Sequence, residues 1–181
     1  MNISFTKIDG PVIIEPDLYK DQRGYFMEAF NLRRFQDIVN LEVDFVQDNQ
    51  SCSRKGVIRG LHYQIENPQG KLVRVLNGSV FDVFVDIRES SQTFGQWGSV
   101  MLSSDNKKQV WIPVGFAHGF MALSESVEVL YKTTGYYDPK YERCIRWDDT
   151  YLSINWPENG DAILSDKDIV GVQFKEADFF E

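Results

Sequence analysis

The sequence predicts an all-β fold, in which two packed sheets or a jelly-roll β-sandwich carry one or two short helices. Three observations support this prediction. Aromatic residues make up 14% of the 181 residues, with 13 Phe, 8 Tyr and 4 Trp, and aromatic side chains pack well on a pleated surface. Turn-forming residues recur at short intervals, as in Asp9-Gly10-Pro11 and Asn77-Gly78. Between the turns lie short β-branched and aromatic segments, which are typical of a sandwich of many short strands.

These segments define the predicted elements in chain order. Strands are predicted at residues 3–5, 12–16, 25–30, 45–53, 57–64, 98–102, 109–112 and 120–124. A helix is predicted at residues 31–39, because Asn31 can cap the first turn and Phe35, Ile38 and Val39 form a short apolar stripe. Side chains also alternate over residues 127–132, which indicates a further strand.

The clearest hairpin prediction joins residues 71–76 to residues 79–87 through Asn77-Gly78. Asn-Gly is the strongest two-residue turn signal, because both positions tolerate a positive φ. One face of the second strand is wholly apolar. The other face carries Asp82 and Asp86 on either side of a phenylalanine, so we do not expect that face to be simply solvent-exposed.

Composition and charge exclude several classes of protein. Lys and Arg total 19 against 27 Asp and Glu, a net charge of −8 that does not fit a basic nucleic-acid footprint. A few Lys or Arg side chains concentrated in one pocket could still bind an anionic ligand. Cys52 and Cys144 cannot form a disulfide scaffold, and the apolar runs are shorter than the ~20 residues of a membrane span. We expect one cytoplasmic domain over residues 1–181, with no nucleic-acid or membrane partner.

The two histidines, His62 and His118, are the first candidates for chemistry. A metal site on a β-barrel commonly needs two or three histidines plus a carboxylate, so we expect no catalytic metal and consider proton transfer instead. Arg59 lies three positions before His62, and an ideal strand would place the two on opposite faces. We therefore expect a bulge or an edge position there if both serve one site.

Other candidates remain open on residue type alone. Lys71 is either a solvated strand end or a cation beside a developing oxyanion. His118 lies between glycines and aromatic residues and could be structural or functional. Composition alone favours a place in the core or an interface over a site for Tyr131 and for the pair Tyr136-Tyr137. No nucleotide-binding glycine motif, Walker A sequence or nucleophile elbow is present, so these patterns identify no substrate.

Taken together, ordered segments along nearly the whole chain resemble the dTDP-4-dehydrorhamnose 3,5-epimerase family. These segments are Arg23-Gly24-Tyr25-Phe26, Gln47-Asp48-Asn49, residues 59–64, Gln69-Gly70-Lys71-Leu72-Val73-Arg74, Val80-Phe81-Asp82-Val83, Phe94-Gly95-Gln96-Trp97, residues 111–120, Tyr131-Lys132-Thr133-Thr134, Tyr137 and Leu164-Ser165-Asp166-Lys167-Asp168. The resemblance implies a cupin-like jelly roll that acts as a homodimer without metal or other cofactor. It also implies inversion of C3 and C5 of dTDP-4-dehydro-6-deoxy-D-glucose.

Residue roles carry over from the family only at matching positions. His62 matches the proton acceptor, Asp168 its carboxylate partner, Tyr131 the proton donor and Lys71 the residue facing the C4 oxygen. The matching substrate-binding positions are Arg23, Phe26, Glu28, Gln47, Asp48, Asn49, Arg59, Lys71, His118, Tyr137, Glu142 and Lys167. Tyr137 matches the aromatic that stacks on the thymine. Gln50 departs from the family, because many relatives have His at that position.

Alternative functions are distinguished by the same residues. The nearest alternative is a single-site 3- or 5-epimerase or a 3,4-ketoisomerase of another dTDP-deoxysugar pathway. The stereochemistry of reprotonation depends on the proton donor, so Tyr131 beside His62, Lys71 and Asp168 favours double epimerisation. A non-catalytic sugar-nucleotide-binding sandwich would not need the pair of His62 and Tyr131. A metal-dependent cupin enzyme would need more histidines than this chain has.

Overall fold

The protein is described by a computed structural model that covers residues 2–158 and 161–181. Within this part of the chain the strands are β1 Asn2–Phe5, β2 Val12–Glu15, β3 Tyr19–Asp21, β4 Gly24–Phe26, β5 Gln47–Arg54, β6 Ile58–Gln64, β7 Lys71–Asn77, β8 Ser79–Asp86, β9 Trp97–Ser103, β10 Gln109–Ile112, β11 Phe116–Ala122, β12 Ser126–Thr133 and β13 Glu142–Cys144. The helices are α1 Leu32–Val39 and α2 Asp166–Ile169, followed by a 3-10 turn at Phe174–Glu176.

Two antiparallel sheets form a sandwich. The larger sheet has the strand order β1-β2-β10-β7-β12-β5, and the smaller has the order β13-β6-β11-β8-β9. Strands β3 and β4 form a separate ribbon. The main core lies between the sheets, where side chains such as Val73 and Val129 meet Phe84 and Phe120. The predicted jelly-roll sandwich with short helices is confirmed.

Strand β8 is buried on both faces, because a second layer covers the outer side of the smaller sheet. Phe84 points into the core between the sheets. Val83 and Val85 point the other way and pack against Leu152 and Phe174 from the C-terminal segment. The expectation that neither face of this strand is simply exposed is confirmed.

Helix α1 begins at its predicted cap. The Asn31 side chain accepts a hydrogen bond of 3.2 Å from the backbone N–H of Arg34. Phe35 is buried on the outer face of the larger sheet, where its ring lies 5.1 Å from that of Trp111. The apolar stripe predicted from the sequence therefore does fix the helix on the sheet.

The predicted hairpin through Asn77-Gly78 is wrong. Strand β7 pairs with β10 and β12, whereas β8 pairs with β11 and β9 in the other sheet. Gly78 has a φ of 75°, but Asn77 does not take the positive φ that a two-residue hairpin of this type requires. Both strands bury valines in the same core, so the turn carries the chain from one sheet to the other.

Other elements differ in extent from the prediction. The predicted strand at 25–30 is only Gly24–Phe26, and the one predicted at 120–124 already begins at Phe116. Strands β3 and β13 and helix α2 were not predicted, and α2 begins at a capping box formed by Ser165 and Asp168. Among the described helices, none has the length and apolar character that a membrane crossing requires.

Candidate active site

A cavity of about 390 Å³ opens at one end of the sandwich, with side chains from both sheets in its wall. Strands β5, β7 and β12 supply one side, β6, β11 and β13 the other, and α2 closes the rim. Eleven residues predicted from the sequence line it: Gln47, Asn49, Arg59, His62, Lys71, His118, Tyr131, Tyr137, Glu142, Lys167 and Asp168. The cavity therefore brings together residues that are far apart in the chain.

A bulge in β6 places Arg59 and His62 on the same cavity. His62 is opposite His118 on β11 and Arg59 is opposite Phe120, so three steps on β6 match two on β11. Gly60 lies within the bulge with a φ of 125°, and a Cβ there would come within 2.5 Å of the Gly119 Cα. The predicted bulge is confirmed, and it requires glycine at this position.

His62 faces a buried carboxylate. Its Nε2 lies 2.7 Å from Oδ1 of Asp168, which is 3% exposed. The oxygen lies off the ring's N–H direction, and Nε2 has no aligned hydrogen bond to any residue in the described ranges. Catalytic hydrogen bonds commonly shorten and align when a substrate binds.

Asp168 is held as an anion by the residues around it. Its Oδ1 accepts from the backbone N–H of Gly60 at 3.1 Å, and its Oδ2 accepts from the Ser165 hydroxyl at 2.6 Å. Burial alone would raise the pKa of this carboxyl, but the contacts with His62, Ser165 and Gly60 outweigh burial and hold the pKa well below its usual range. The carboxylate can therefore stabilise a protonated His62.

Lys71 reaches across the interior from the larger sheet. Its Nζ donates to the backbone carbonyl of His62 at 3.2 Å. Burial lowers the pKa of Lys71 to about 8, although the carboxylates of Glu142 and Asp82 act in the opposite direction. The ammonium group is thus a poorly solvated cation beside His62, where it can stabilise a developing negative charge.

Tyr131 lies on β12, so it faces the cavity from the sheet opposite His62. Burial raises the pKa of its phenol, an effect that Arg59 opposes and Glu142 reinforces. The phenol therefore remains protonated at neutral pH and can donate a proton.

Tyr137, Glu142 and Lys167 form a chain of contacts at the rim. The Tyr137 hydroxyl donates to Glu142 Oε2 at 2.8 Å, and Lys167 Nζ donates to Oε1 at 2.5 Å. The bond to Glu142 raises the pKa of Tyr137 to about 12. Burial would raise the pKa of Glu142, but the bonds from Lys167 and Tyr137 outweigh it and lower that pKa. The Tyr137 ring is half exposed and lies at the mouth of the cavity, where a flat base could stack.

Arg59 and the polar side chains of β5 line the other end. Arg59 Nε donates to Ser53 Oγ at 3.0 Å and its Nη2 donates to the backbone carbonyl of Cys52 at 3.3 Å, and these two bonds hold the guanidinium beside β5. Gln47 donates to Asn49 Oδ1 at 2.8 Å and accepts from the Tyr137 backbone N–H at 3.1 Å. This end offers a cation and amide groups to a polar ligand.

Two predicted site residues lie on the ribbon of β3 and β4. Arg23 pairs with Asp21 at 2.6 Å and its side chain is 85% exposed, and Phe26 is 69% exposed. Both line a separate depression on this ribbon. Within one chain, the structure does not bring them to the cavity.

Glu28 and Asp48 also lie outside the cavity. Glu28 lies 3.1 Å from Arg34 at the start of α1. Asp48 pairs with Lys132 at 2.9 Å and faces a second cavity of about 240 Å³ on the outer side of the larger sheet. Gln50 points to the same outer side and donates to Glu128, so the departure from the family at this position does not alter the wall of the first cavity.

Four lining residues were not predicted as site residues: Ser51, Gln69, Phe120 and Ser165. Ser51 follows Gln47 and Asn49 at the period of two that defines one face of a strand, so alternation in β5 could have identified it. Its hydroxyl is buried and has no hydrogen-bond partner among the residues described.

The donor atoms of His62, Cys144 and Asp168 lie within 4.8 Å of one another, a spacing that a metal ion could use. The pKa of the Cys144 thiol is raised to about 12, by burial and by the charge of Asp168. A protonated thiol is a poor metal ligand, and both oxygens of Asp168 already accept hydrogen bonds. The arrangement fits proton transfer better than metal binding.

Comparison with known proteins agrees with this chemistry. The family model for dTDP-4-dehydrorhamnose 3,5-epimerase matches residues 5–176. The chain is 54% identical over 181 residues to the dTDP-4-dehydrorhamnose 3,5-epimerase of Shigella flexneri, with 99% of each protein covered.

Two solved structures are similar. A dTDP-6-deoxy-D-glucose-3,5-epimerase from Legionella pneumophila, in complex with dTDP-4-keto-L-rhamnose, matches with a TM-score of 0.95 and 51% identity, covering 98% of this chain and 94% of that one. A 3′-monoepimerase from Streptomyces bikiniensis, in complex with dTDP-quinovose, matches with a TM-score of 0.88 and 30% identity, covering 93% and 85%. The resemblance noted in the sequence is confirmed, and this chain belongs to the dTDP-4-dehydrorhamnose 3,5-epimerase family.

Proposed function

We propose that this protein inverts C3 and C5 of dTDP-4-dehydro-6-deoxy-D-glucose to give dTDP-4-dehydro-6-deoxy-L-mannose. The observation that carries the proposal is a single cavity in which His62, backed by Asp168, faces Tyr131 from the opposite sheet with Lys71 beside them. A base, an acid on the other side and a cation are the three groups that this inversion needs.

His62 acts as the base. The C4 ketone acidifies the protons on C3 and C5, because the resulting carbanion delocalises into an enolate. Asp168 faces one ring nitrogen, so the imidazole has its other nitrogen for the substrate proton, and the carboxylate stabilises the imidazolium that forms. The reaction conserves oxidation state, so we propose that it needs no redox cofactor.

Lys71 stabilises the enolate oxygen. Its charge is poorly solvated, since burial lowers its pKa to about 8, and a fixed cation in such surroundings interacts strongly with developing negative charge. His118 lies opposite His62 in the strand register and lines the same cavity, so it can contact the same oxygen.

Tyr131 returns the proton. Inversion requires that protonation occur on the face from which the proton was not removed. Tyr131 comes from the larger sheet and His62 from the smaller one, so the sugar ring can lie between them. The raised pKa of the phenol keeps the proton available at neutral pH.

The dTDP moiety binds along β5 and the rim. The planar guanidinium of Arg59 suits the pyrophosphate, Tyr137 can stack on the thymine, and the amides of Gln47 and Asn49 can contact polar atoms. The positive charge concentrated in the cavity can then bind the negatively charged pyrophosphate, even though the protein is acidic overall.

We also propose that the single domain over residues 1–181 acts as a cytoplasmic homodimer. Tyr19, Tyr25 and Phe26 are exposed on one small ribbon, a concentration of aromatic surface that a second copy could cover. Such a contact would also account for Arg23 and Phe26, which match substrate-binding positions but lie outside their own cavity. The dimer is tested by measuring the molar mass of the wild-type protein and of a Phe26→Ser variant by light scattering. The wild type should be a dimer and the variant should dissociate more readily, whereas a monomeric wild-type protein would contradict the proposal.

The reaction is tested by incubation with dTDP-4-dehydro-6-deoxyglucose in deuterated water, followed by NMR of the sugar. Deuterium at both C3 and C5 in an L-configured product supports double epimerisation. Label at one carbon only would instead indicate the single-site reaction that the name of the Streptomyces bikiniensis relative describes. No label, with dTDP still bound, would leave a binding protein and overturn the proposal.

A further inference from the structure

The cavity contains a second histidine that is backed by a buried carboxylate. His62 and His118 face each other in the register of β6 and β11. His118 Nε2 lies 2.9 Å from Oδ2 of Asp82, just as His62 lies close to Asp168. His118 lines the cavity, whereas Asp82 is fully buried behind it on β8.

Asp82 is an unusual residue for its location. Its neighbours on β8, Val80, Val83 and Phe84, have fully buried apolar side chains. Its Oδ1 is buried and has no hydrogen-bond partner within the described ranges 2–158 and 161–181. A buried carboxylate with an unpaired oxygen destabilises a fold, and an apolar residue would serve the core better. Its presence therefore suggests a role in the site.

The charges that face Asp82 belong to the cavity. Besides the contact of Asp82 with His118 on β11, the negative charge of Asp82 raises the pKa of Lys71, which reaches in from β7. Lys71 is in turn faced by Glu142 on β13, Lys167 on α2 and the carbonyl of His62 on β6. Of these groups Glu142 and Asp82 favour the charged form of Lys71, whereas burial and Lys167 oppose it.

We infer that Asp82 is a positioning residue for the enolate chemistry: it fixes the ring of His118 with one nitrogen toward the cavity and helps to keep Lys71 cationic. The inference rests on the proposed function, because both groups would face the C4 oxygen of the sugar. Asp82 accepts the proton on Nε2, so the tautomer and orientation of His118 are set from behind. Asp82 itself does not touch the substrate.

The test is the isosteric Asp82→Asn variant, with kcat and KM measured from pH 6 to pH 10. We expect kcat to fall by roughly tenfold or more, and affinity for dTDP to stay within about threefold. The fall of kcat at alkaline pH is set by loss of the proton from Lys71. This alkaline limb of the pH profile should move to lower pH by about one unit in the variant, because the negative charge that stabilises the Lys71 ammonium is removed. Unchanged kcat and an unmoved limb would overturn the inference.

Asp86→Asn is the matched control. Asp86 lies on the same strand and is equally buried, but it binds Arg88, Ser91 and Thr93 instead of cavity residues. Its loss should reduce stability without moving the alkaline limb. If Asp82→Asn lowers stability in the same way and leaves the pH profile of the remaining activity intact, the role of Asp82 is merely structural.

A second measurement needs no variant and no substrate. Nitrogen-15 NMR of the wild-type histidine rings should find the proton of His118 on Nε2, the atom that faces Asp82. A proton on Nδ1 alone would overturn the inference even if the enzyme is active. If the wild type fails to epimerise the dTDP-sugar while this tautomer is found, the proposed function fails and the pairing of His118 with Asp82 stands.

Discussion

Replacing Lys71 with Met should make the protein more stable while it abolishes activity. Burial lowers the pKa of Lys71 from its ordinary 10.5 to about 8, so the fold destabilises the charged form. At 1.36 kcal/mol per pKa unit, this shift corresponds to about 3 kcal/mol at pH 7. Loss of the hydrogen bond from Nζ to the His62 carbonyl offsets about 1 kcal/mol of that gain. The net expectation for Lys71→Met is about 2 kcal/mol of added stability.

The pH dependence of this difference has a defined sign. Between pH 8 and pH 10.5 the folded wild-type protein has lost the Lys71 proton while the unfolded chain still holds it. The unfolded state then binds more protons, so wild-type stability rises with pH relative to the variant. The advantage of Lys71→Met should therefore be full below pH 8 and shrink toward pH 10.5.

Urea unfolding at several pH values measures this difference, with the exposed Lys55 replaced by Met as a control. Lys55→Met should change stability by less than about 0.5 kcal/mol at every pH. A Lys71→Met variant that is less stable than the wild type at pH 7, or a difference that does not shrink with pH, would refute the argument that Lys71 is a desolvated cation.

Three further substitutions test the other parts of the site. Tyr131→Phe should still exchange substrate protons with solvent but fail to complete the inversion, and wild-type product yield by NMR would remove Tyr131 from the mechanism. Arg59→Ala should weaken dTDP binding by about tenfold or more in calorimetry, because a charge-assisted contact is lost; unchanged affinity would place the pyrophosphate elsewhere. Gly60→Ala should cost more than about 2 kcal/mol in urea unfolding, because its Cβ would clash with Gly119 at 2.5 Å, and a neutral effect would contradict the bulge geometry.

Local patterns predicted much of the fold. Alternation and turn residues located most strands, and Asn31 marked the start of α1 correctly. The Asn77-Gly78 turn shows where such patterns stop, because a local signal does not specify which sheet the next strand joins. That choice depends on long-range packing, in which the valines of β7 and β8 share one core. The capping box of α2 is visible in the sequence as Ser165 and Asp168, but a helix of four residues is too short to show the apolar period that predicts a helix.

The site was predictable in part. The spacing of Arg59 and His62 indicated a bulge, since both could share a site only if the strand was irregular. The contact of His62 with Asp168 could be predicted only from the family resemblance, because local sequence patterns do not show that α2 lies beside β6. Asp48 was predicted as a substrate-binding residue, although the alternation of β5, in which Gln47 and Asn49 point inward, already indicates that Asp48 points outward. The ion pair of Asp48 with Lys132 on the neighbouring strand could not be read from the sequence.

The most direct test of the account compares wild type and His62→Ala in deuterated water with dTDP-4-dehydro-6-deoxyglucose. If His62 is the base, the wild type should introduce deuterium at C3 and C5. The variant should introduce none and still bind dTDP within a few-fold of wild-type affinity. Exchange that persists in His62→Ala would show that another group removes the protons, and the proposed pairing of His62 with Asp168 would no longer explain the chemistry of this cavity.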